Sequence, residues 1–246
     1  MQRPDGEPVE VELTVRDLRH EPSVDGLVLT VRDVTERRRL ERELLRRAYL
    51  DPLTGLGNRL AFHDAVRNAC ADAASDGTTA GVLLVNIDDF RLVNDTMGHD
   101  IGDLLLVSIG QRLTDALAGH GPVARLGADE FGAIIAGARG VDEIEVIVER
   151  TITAFVDPFL VSGSVVTAQP SIGVSTTADA ADSQQMLSQA DVALNSAKSA
   201  GKARWRRYEA SLHAAVLQRM QLRAELDQAI ADSAFTLHYQ PIVDLD

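Results

Sequence analysis

Val123-Ala124-Arg125-Leu126-Gly127-Ala128-Asp129-Glu130-Phe131-Gly132-Ala133-Ile134-Ile135 is the stretch on which the reading of this chain turns. Two short apolar runs flank a polar tip, which is the pattern of a β-hairpin. Gly127 supplies the permissive backbone that a tight turn asks for. Asp129 and Glu130 are adjacent carboxylates at the tip, and adjacent strand residues point to opposite faces. Paired acids in such a place suit a hard divalent cation that carries substrate phosphates. A solvated acidic turn has the same composition, so the rest of the chain has to decide between the two.

Composition narrows the classes. The chain has 246 residues, 45% hydrophobic and 25% charged, with a formal net charge of −13. A duplex nucleic-acid binder needs a basic face, and this balance argues against one. A nucleotide substrate stays open, because a local cluster and a metal can hold phosphates. Cys70 is the one cysteine, so no intrachain disulfide or cysteine metal cage is expected, and a reducing cytoplasm suits the chain. No run of 18 apolar residues is present, and no apolar core follows Met1 to Asp5. Neither a membrane span nor a signal peptide is expected.

Three further blocks accompany the hairpin in order. The first is Asp51-Pro52-Leu53-Thr54-Gly55-Leu56-Gly57-Asn58-Arg59. The second is Asn86-Ile87-Asp88-Asp89-Phe90-Arg91-Leu92-Val93-Asn94-Asp95, continuing to Gly98-His99 and Gly102-Asp103. The third runs from Ala190-Asp191-Val192-Ala193-Leu194 through Lys198 to Gly201-Lys202. With Gly127-Ala128-Asp129-Glu130-Phe131, these blocks resemble the GGDEF family, the diguanylate cyclases, over residues 51 to about 208. Four blocks in register are far more specific than any one of them.

The resemblance implies a site. Asp129 and Glu130 match the family's catalytic and metal-binding acids, and the backbone carbonyl of Ile87 can add to the metal set. Asn86 stands where the family has a metal-binding aspartate. An amide oxygen can ligate Mg²⁺ or Mn²⁺ but brings no charge, and Mg²⁺ prefers carboxylates. Asp88 can compensate in part, although it is also a candidate N-cap of the next helix. Asn94 and Asp103 match the guanine-reading positions: an amide offers donor and acceptor, and a carboxylate accepts N–H groups. Lys198 and Lys202 match the triphosphate-holding positions, and their spacing of four is expected to place them on one helix face. Gly127 and Ala128 match the family's glycine pair, so Ala128 puts a methyl where phosphate approaches, or at a position needing a positive φ. The family's product-inhibition motif, Arg-x-x-Asp, falls on Ala118, Gly119, His120 and Gly121 and is absent.

The chain in order gives the expected layout. Residues 1–34 alternate with period two as a half-buried hairpin, similar to the last strands of a PAS sensor domain. Residues 35–50 read as an exposed helix with Glu43–Arg47 support and a seam of Leu40, Leu44 and Ala48. That helix is either a solvated linker or a signalling helix that pairs with its twin in a homodimer. Residues 51–208 form the GGDEF-like domain. Helices are expected over 59–76, 101–117, 142–159 and 182–200, with Val141, Ile144, Val146, Ile147 and Ile152 as core candidates. Strands are expected over 80–86 and, broken by Pro170, over 164–176. The order αβααββαββα predicts an α/β (α+β) fold with a mostly antiparallel central sheet flanked by helices. The resemblance implies the ferredoxin-like nucleotidyl-cyclase palm. Residues 209–246 read as a helix from 210 to 232 and a strand from 235, similar to the first strand of an EAL phosphodiesterase domain. The whole is therefore expected to be an excerpt of a PAS–GGDEF–EAL protein.

Three functions of different kinds fit these residues. One is a dimeric enzyme that makes cyclic di-GMP and two pyrophosphates from two GTP. The second is a degenerate module that binds GTP with Mg²⁺ and controls an attached phosphodiesterase. The third is a purely structural dimerisation unit. The presence of Asn94, Asp103, Asp129, Glu130, Lys198 and Lys202 speaks against the third, while Asn86 and Ala128 separate the first two.

Overall fold

The structure is a computed structural model. It describes residues 9–212 except 22 and 24, together with 225, 226, 228–232, 234 and 235. The helix expected over 210–232 lies mostly outside the described residues, as does the strand expected from 235.

The apolar run near residue 80 becomes the central strand β3 (Thr79–Ile87), buried on both faces as such a run requires. It pairs antiparallel with β5 (Glu130–Ala138) on one side and β8 (Pro170–Thr176) on the other. β4 (Val123–Arg125) closes the expected hairpin onto β5, with Ala124 opposite Gly132. β9 (Trp205–Arg207) adds a parallel strand beside β8, giving the order β4-β5-β3-β8-β9. The mostly antiparallel sheet expected from the element order is present.

Strand alternation sends the two faces to two helix layers. Leu83, Val85 and Ile87 pack with α4 (His99–Ala116) and α5 (Val141–Thr153). Ala80 and Val82 pack with α2 (Arg59–Asp76) and α6 (Ser183–Ser199). Local chemistry fixes the helix ends. The Asn58 side chain accepts from the N–H groups of Leu60 and Ala61, and Gly77 ends α2 at φ 67°. Asp182 caps α6 by accepting from Gln185 N–H at 2.8 Å. α6 lies directly on the backbone of β8: a Cβ on Gly173 would sit 2.1 Å from the carbonyl oxygen of Ala190.

Several expectations need correction. α5 stops at Thr153, and residues 159–166 form a small hairpin instead, β6 (Phe159–Val161) with β7 (Ser164–Val166). Thr153, Val156 and Pro158 surround that stop, and proline disfavours helix in the residue before it. Ile144 and Ile147 are buried, but Val146 is 69% exposed because it lies on the outer face of α5. β1 (Val11–Asp17) and β2 (Leu27–Asp33) pair as expected, yet both strands are exposed along their whole length rather than half-buried. Two strands alone have no layer to cover them. α1 (Thr35–Tyr49) is an exposed helix with Leu40 and Leu44 uncovered and Arg47 2.6 Å from Glu43. Its Arg38 and Arg42 bond the Glu10 carboxylate. Among the described residues no helix is long and apolar enough to cross a membrane.

Candidate functional site

The hairpin tip is built by two arginines that take its carbonyls. Arg125, with its side chain 13% exposed, donates from Nη2 to the Ala128 carbonyl at 2.9 Å and from Nη1 to both oxygens of Asp51 at 3.3 Å. Arg59 donates to the Leu126 carbonyl from Nη2 at 2.8 Å and from Nε at 3.2 Å. A third carbonyl of the tip, that of Asp129, accepts the Ile87 N–H at 3.0 Å. Asp51 is held in turn by the N–H and hydroxyl of Thr54 at 2.8 and 2.7 Å. Burial pushes the Asp51 carboxyl up, but the Thr54 bonds and Arg125 outweigh it and hold the carboxyl below its usual value. Sequence reading singled out neither Arg59 nor Arg125 as part of the site. Nothing in an isolated arginine says which carbonyl it will find.

The turn corrects the reading of its two small residues. Neither Gly127 nor Ala128 has a left-handed φ, so no backbone strain attaches to Ala128. Gly127 leaves room instead: a Cβ there would lie 3.1 Å from Glu130 Oε2. The objection to Ala128 reduces to the space its methyl takes beside a ligand.

Next to the tip, one rung of the sheet carries Glu130, Asn86 and Ser171 as direct partners across β5, β3 and β8. Directly opposed residues present their side chains on the same face. Asn86 is 8% exposed, and its amide makes no hydrogen bond among the described residues. Glu130 Oε2 lies 3.5 Å from Arg59 Nη2. Asp88 is turned away from capping. Its oxygens each accept from the Ser171 hydroxyl at 2.9 Å, and Oδ2 also takes the Ala203 N–H at 2.9 Å. Asp89 occupies the N-cap position of α3 (Phe90–Met97) at φ 56°, without a capping side-chain bond.

The two lysines part company. Lys198 stands in the last turn of α6, and its side chain makes no hydrogen bond or ion pair among the described residues. Lys202 lies beyond the helix end at φ 60°, followed by Ala203 at φ 47°. It does not share the helix face, because the helix stops at Ser199 and Gly201 takes φ 117°. Its Nζ sits 2.6 Å from Asp89 Oδ1, and that bond raises the ammonium pKa.

Asn94 and Asp103 sit on two adjoining helices. Asn94 lies on α3 and Asp103 in the first turns of α4. Asn94 Oδ1 would be only 1.9 Å from a Cβ on Gly102, so the glycine beside Asp103 admits the asparagine side chain. At the positions of the absent inhibitory motif, Arg150 Nη2 is 3.0 Å from His120 Nε2.

The donors near the tip are the carboxylates of Asp129 and Glu130, the Asn86 amide oxygen and the Ile87 carbonyl. They are all oxygen, as a hard divalent cation requires. The unpaired Asn86 amide on the Glu130 rung fits such an ion in kind, with one carboxylate fewer than an all-acid set. Among the described residues no three His, Cys, Asp or Glu side chains stand close enough to form a metal cluster.

Comparison with known proteins identifies the family and its fold. The family model "Diguanylate cyclase, GGDEF domain" matches residues 48–204. The bifunctional diguanylate cyclase/cyclic di-GMP phosphodiesterase MucR of Pseudomonas aeruginosa is 33% identical over 83% of this chain and 30% of its own length. The cyclic di-GMP phosphodiesterase NbdA of the same species is 31% identical over 80% of this chain and 25% of its own. The chain thus spans under a third of the length of these curated relatives. Among solved structures, the isolated GGDEF domain of YfiN (TpbB) from P. aeruginosa has a TM-score of 0.66 and 31% identity, covering 69% of this chain and 99% of that one. The coiled coil and GGDEF domain of DgcB from Caulobacter crescentus, in complex with c-di-GMP, has a TM-score of 0.63 and 26% identity, covering 71% and 93%. With more than half its length matched by the family model, this chain belongs to the GGDEF family of diguanylate cyclase domains.

Proposed function

We infer that this chain is the GGDEF portion of a cytoplasmic cyclic di-GMP signalling protein, binding GTP with Mg²⁺ or Mn²⁺ and converting it weakly or not at all. One observation carries the reading: Asn86, nearly buried and with a side-chain amide that finds no hydrogen-bond partner among the described residues, sits on the Glu130 rung where the family has an aspartate. Asp129, Glu130, Asn86 and the Ile87 carbonyl would hold the cation, which supplies positive charge to the substrate phosphates. Lys198 and Lys202 carry the triphosphate, and Asn94 and Asp103 hydrogen-bond the guanine edge. In the full reaction the 3′-hydroxyl of one GTP attacks the α-phosphorus of another, and pyrophosphate leaves. Two such domains must face each other, and α1 pairing with its twin is the element that brings them together.

Ground-state binding tolerates a weaker charge set better than the transition state does, where charge on the reacting phosphate peaks. A loss of about 3–4 kcal/mol at that point slows turnover roughly a hundred- to a thousand-fold. The role left to such a domain is to sense GTP and bias an attached EAL phosphodiesterase under control of a PAS-like sensor. MucR and NbdA support that reading, since their names place phosphodiesterase activity in chains much longer than this one. The alternative is an active dimeric cyclase, favoured by the presence of Asn94, Asp103, Asp129, Glu130, Lys198 and Lys202. Measuring Mg²⁺-dependent GTP binding and cyclic di-GMP formation on one sample separates the two.

A further inference from the structure

Around Lys202 the loop between α6 and β9 is tied back onto the loop between β3 and α3 by two neighbouring acids. Asp88 takes the Ala203 N–H at 2.9 Å, and Asp89 takes the Lys202 ammonium at 2.6 Å. Gly201, Lys202 and Ala203 all have positive φ, a run that L-residues enter only when other bonds compensate. The Lys198 ammonium, by contrast, has no partner among the described residues. On the reading given above, one of the two phosphate-binding cations therefore stands free and the other is already neutralised by a carboxylate of the same chain.

We propose that Asp89 is an internal stand-in for a substrate phosphate: it holds Lys202 in a nucleotide-free arrangement and sets the affinity of the site for polyphosphate ligands. A carboxylate oxygen and a phosphate oxygen present the same anionic acceptor to an ammonium. A nucleoside triphosphate must displace Asp89 from Lys202 before the ammonium can reach a phosphate, and that displacement weakens binding. The pair is exposed, at 47% and 64% for its side chains, so it exchanges readily and tunes affinity without blocking entry.

This inference rests on the GTP-binding reading, and a mutant cycle on the full chain tests the two separately. Asp89→Asn keeps the shape and removes the charge. GTP binding with Mg²⁺, followed by calorimetry at low salt, is expected to tighten roughly two- to tenfold, with the gain shrinking as salt is raised. In the Lys202→Ala background the same substitution is expected to change affinity less than twofold, because no ammonium remains to release. A Lys202→Arg chain carrying Asp89→Asn is expected to recover most of the gain. Equal gains with and without Lys202 would show plain removal of an acid and overturn the proposal. Unchanged or weaker binding by Asp89→Asn would overturn it as well while leaving GTP binding intact. Failure of both the unmodified chain and Asp89→Asn to bind GTP, with unaltered melting curves, would overturn the binding reading and this inference together.

Discussion

At the scale of single residues, Asn86 is the position with the most leverage. Replacing it with aspartate adds a charged donor on the Glu130 rung at almost no change in volume. Asn86→Asp with Ala128→Gly is expected to tighten Mg²⁺-dependent GTP binding and raise cyclisation by about a hundredfold or more, read by product formation in a dimeric sample. Stability should move the other way without metal, since the new charge is nearly buried. Asp51 makes a different prediction. Its folded carboxyl titrates below the unfolded one, so its stabilisation is complete above the unfolded value of about 3.9 and disappears as pH falls through the lower folded value. Asp51→Asn is expected to lose about 1–3 kcal/mol at pH 7, seen as a lower urea midpoint. The deficit against the unmodified chain should close toward pH 3. Asp129 and Glu130 stood out in the sequence as candidates because two adjacent acids at a hairpin tip suit a cation and three further blocks accompany them. Lys202 was misplaced because spacing alone ignores Gly201, which ends the helix before the second lysine.

At the scale of elements, the sheet and its flanking helices were legible from period and caps. Asn58, Gly77 and Asp182 mark their helix ends with side-chain or backbone chemistry that a sequence displays. What escaped were the short strands β6 and β9, three residues each. Segments of that length carry no periodicity, and only pairing partners define them. The arginine clamp on the hairpin escaped for a related reason, since Arg59 and Leu126 are 67 positions apart. The contact between α6 and β8 yields a sharp test. Gly173→Ala places a methyl against the backbone of Ala190 and Leu194, where no side-chain rotation can relieve it. A loss of about 3 kcal/mol or more is expected in chemical unfolding, whereas alanine at Gly140, which meets nothing within 4 Å, should cost little.

At the scale of the whole molecule, the account requires two domains to meet, and α1 offers the uncovered seam of Leu40 and Leu44. Leu44→Glu is expected to shift the chain toward monomer in sedimentation while leaving GTP affinity within about twofold. Such a result assigns pairing to the helix and binding to the single domain. The central claim is that this domain holds GTP far better than it transforms it. Its most direct test is one sample in which Mg²⁺-dependent GTP binding is titrated and cyclic di-GMP is counted over the following hours. The account predicts saturable, guanine-selective binding with turnover a hundredfold or more below that of the Asn86→Asp, Ala128→Gly chain. Robust cyclic di-GMP synthesis by the unmodified chain would contradict it.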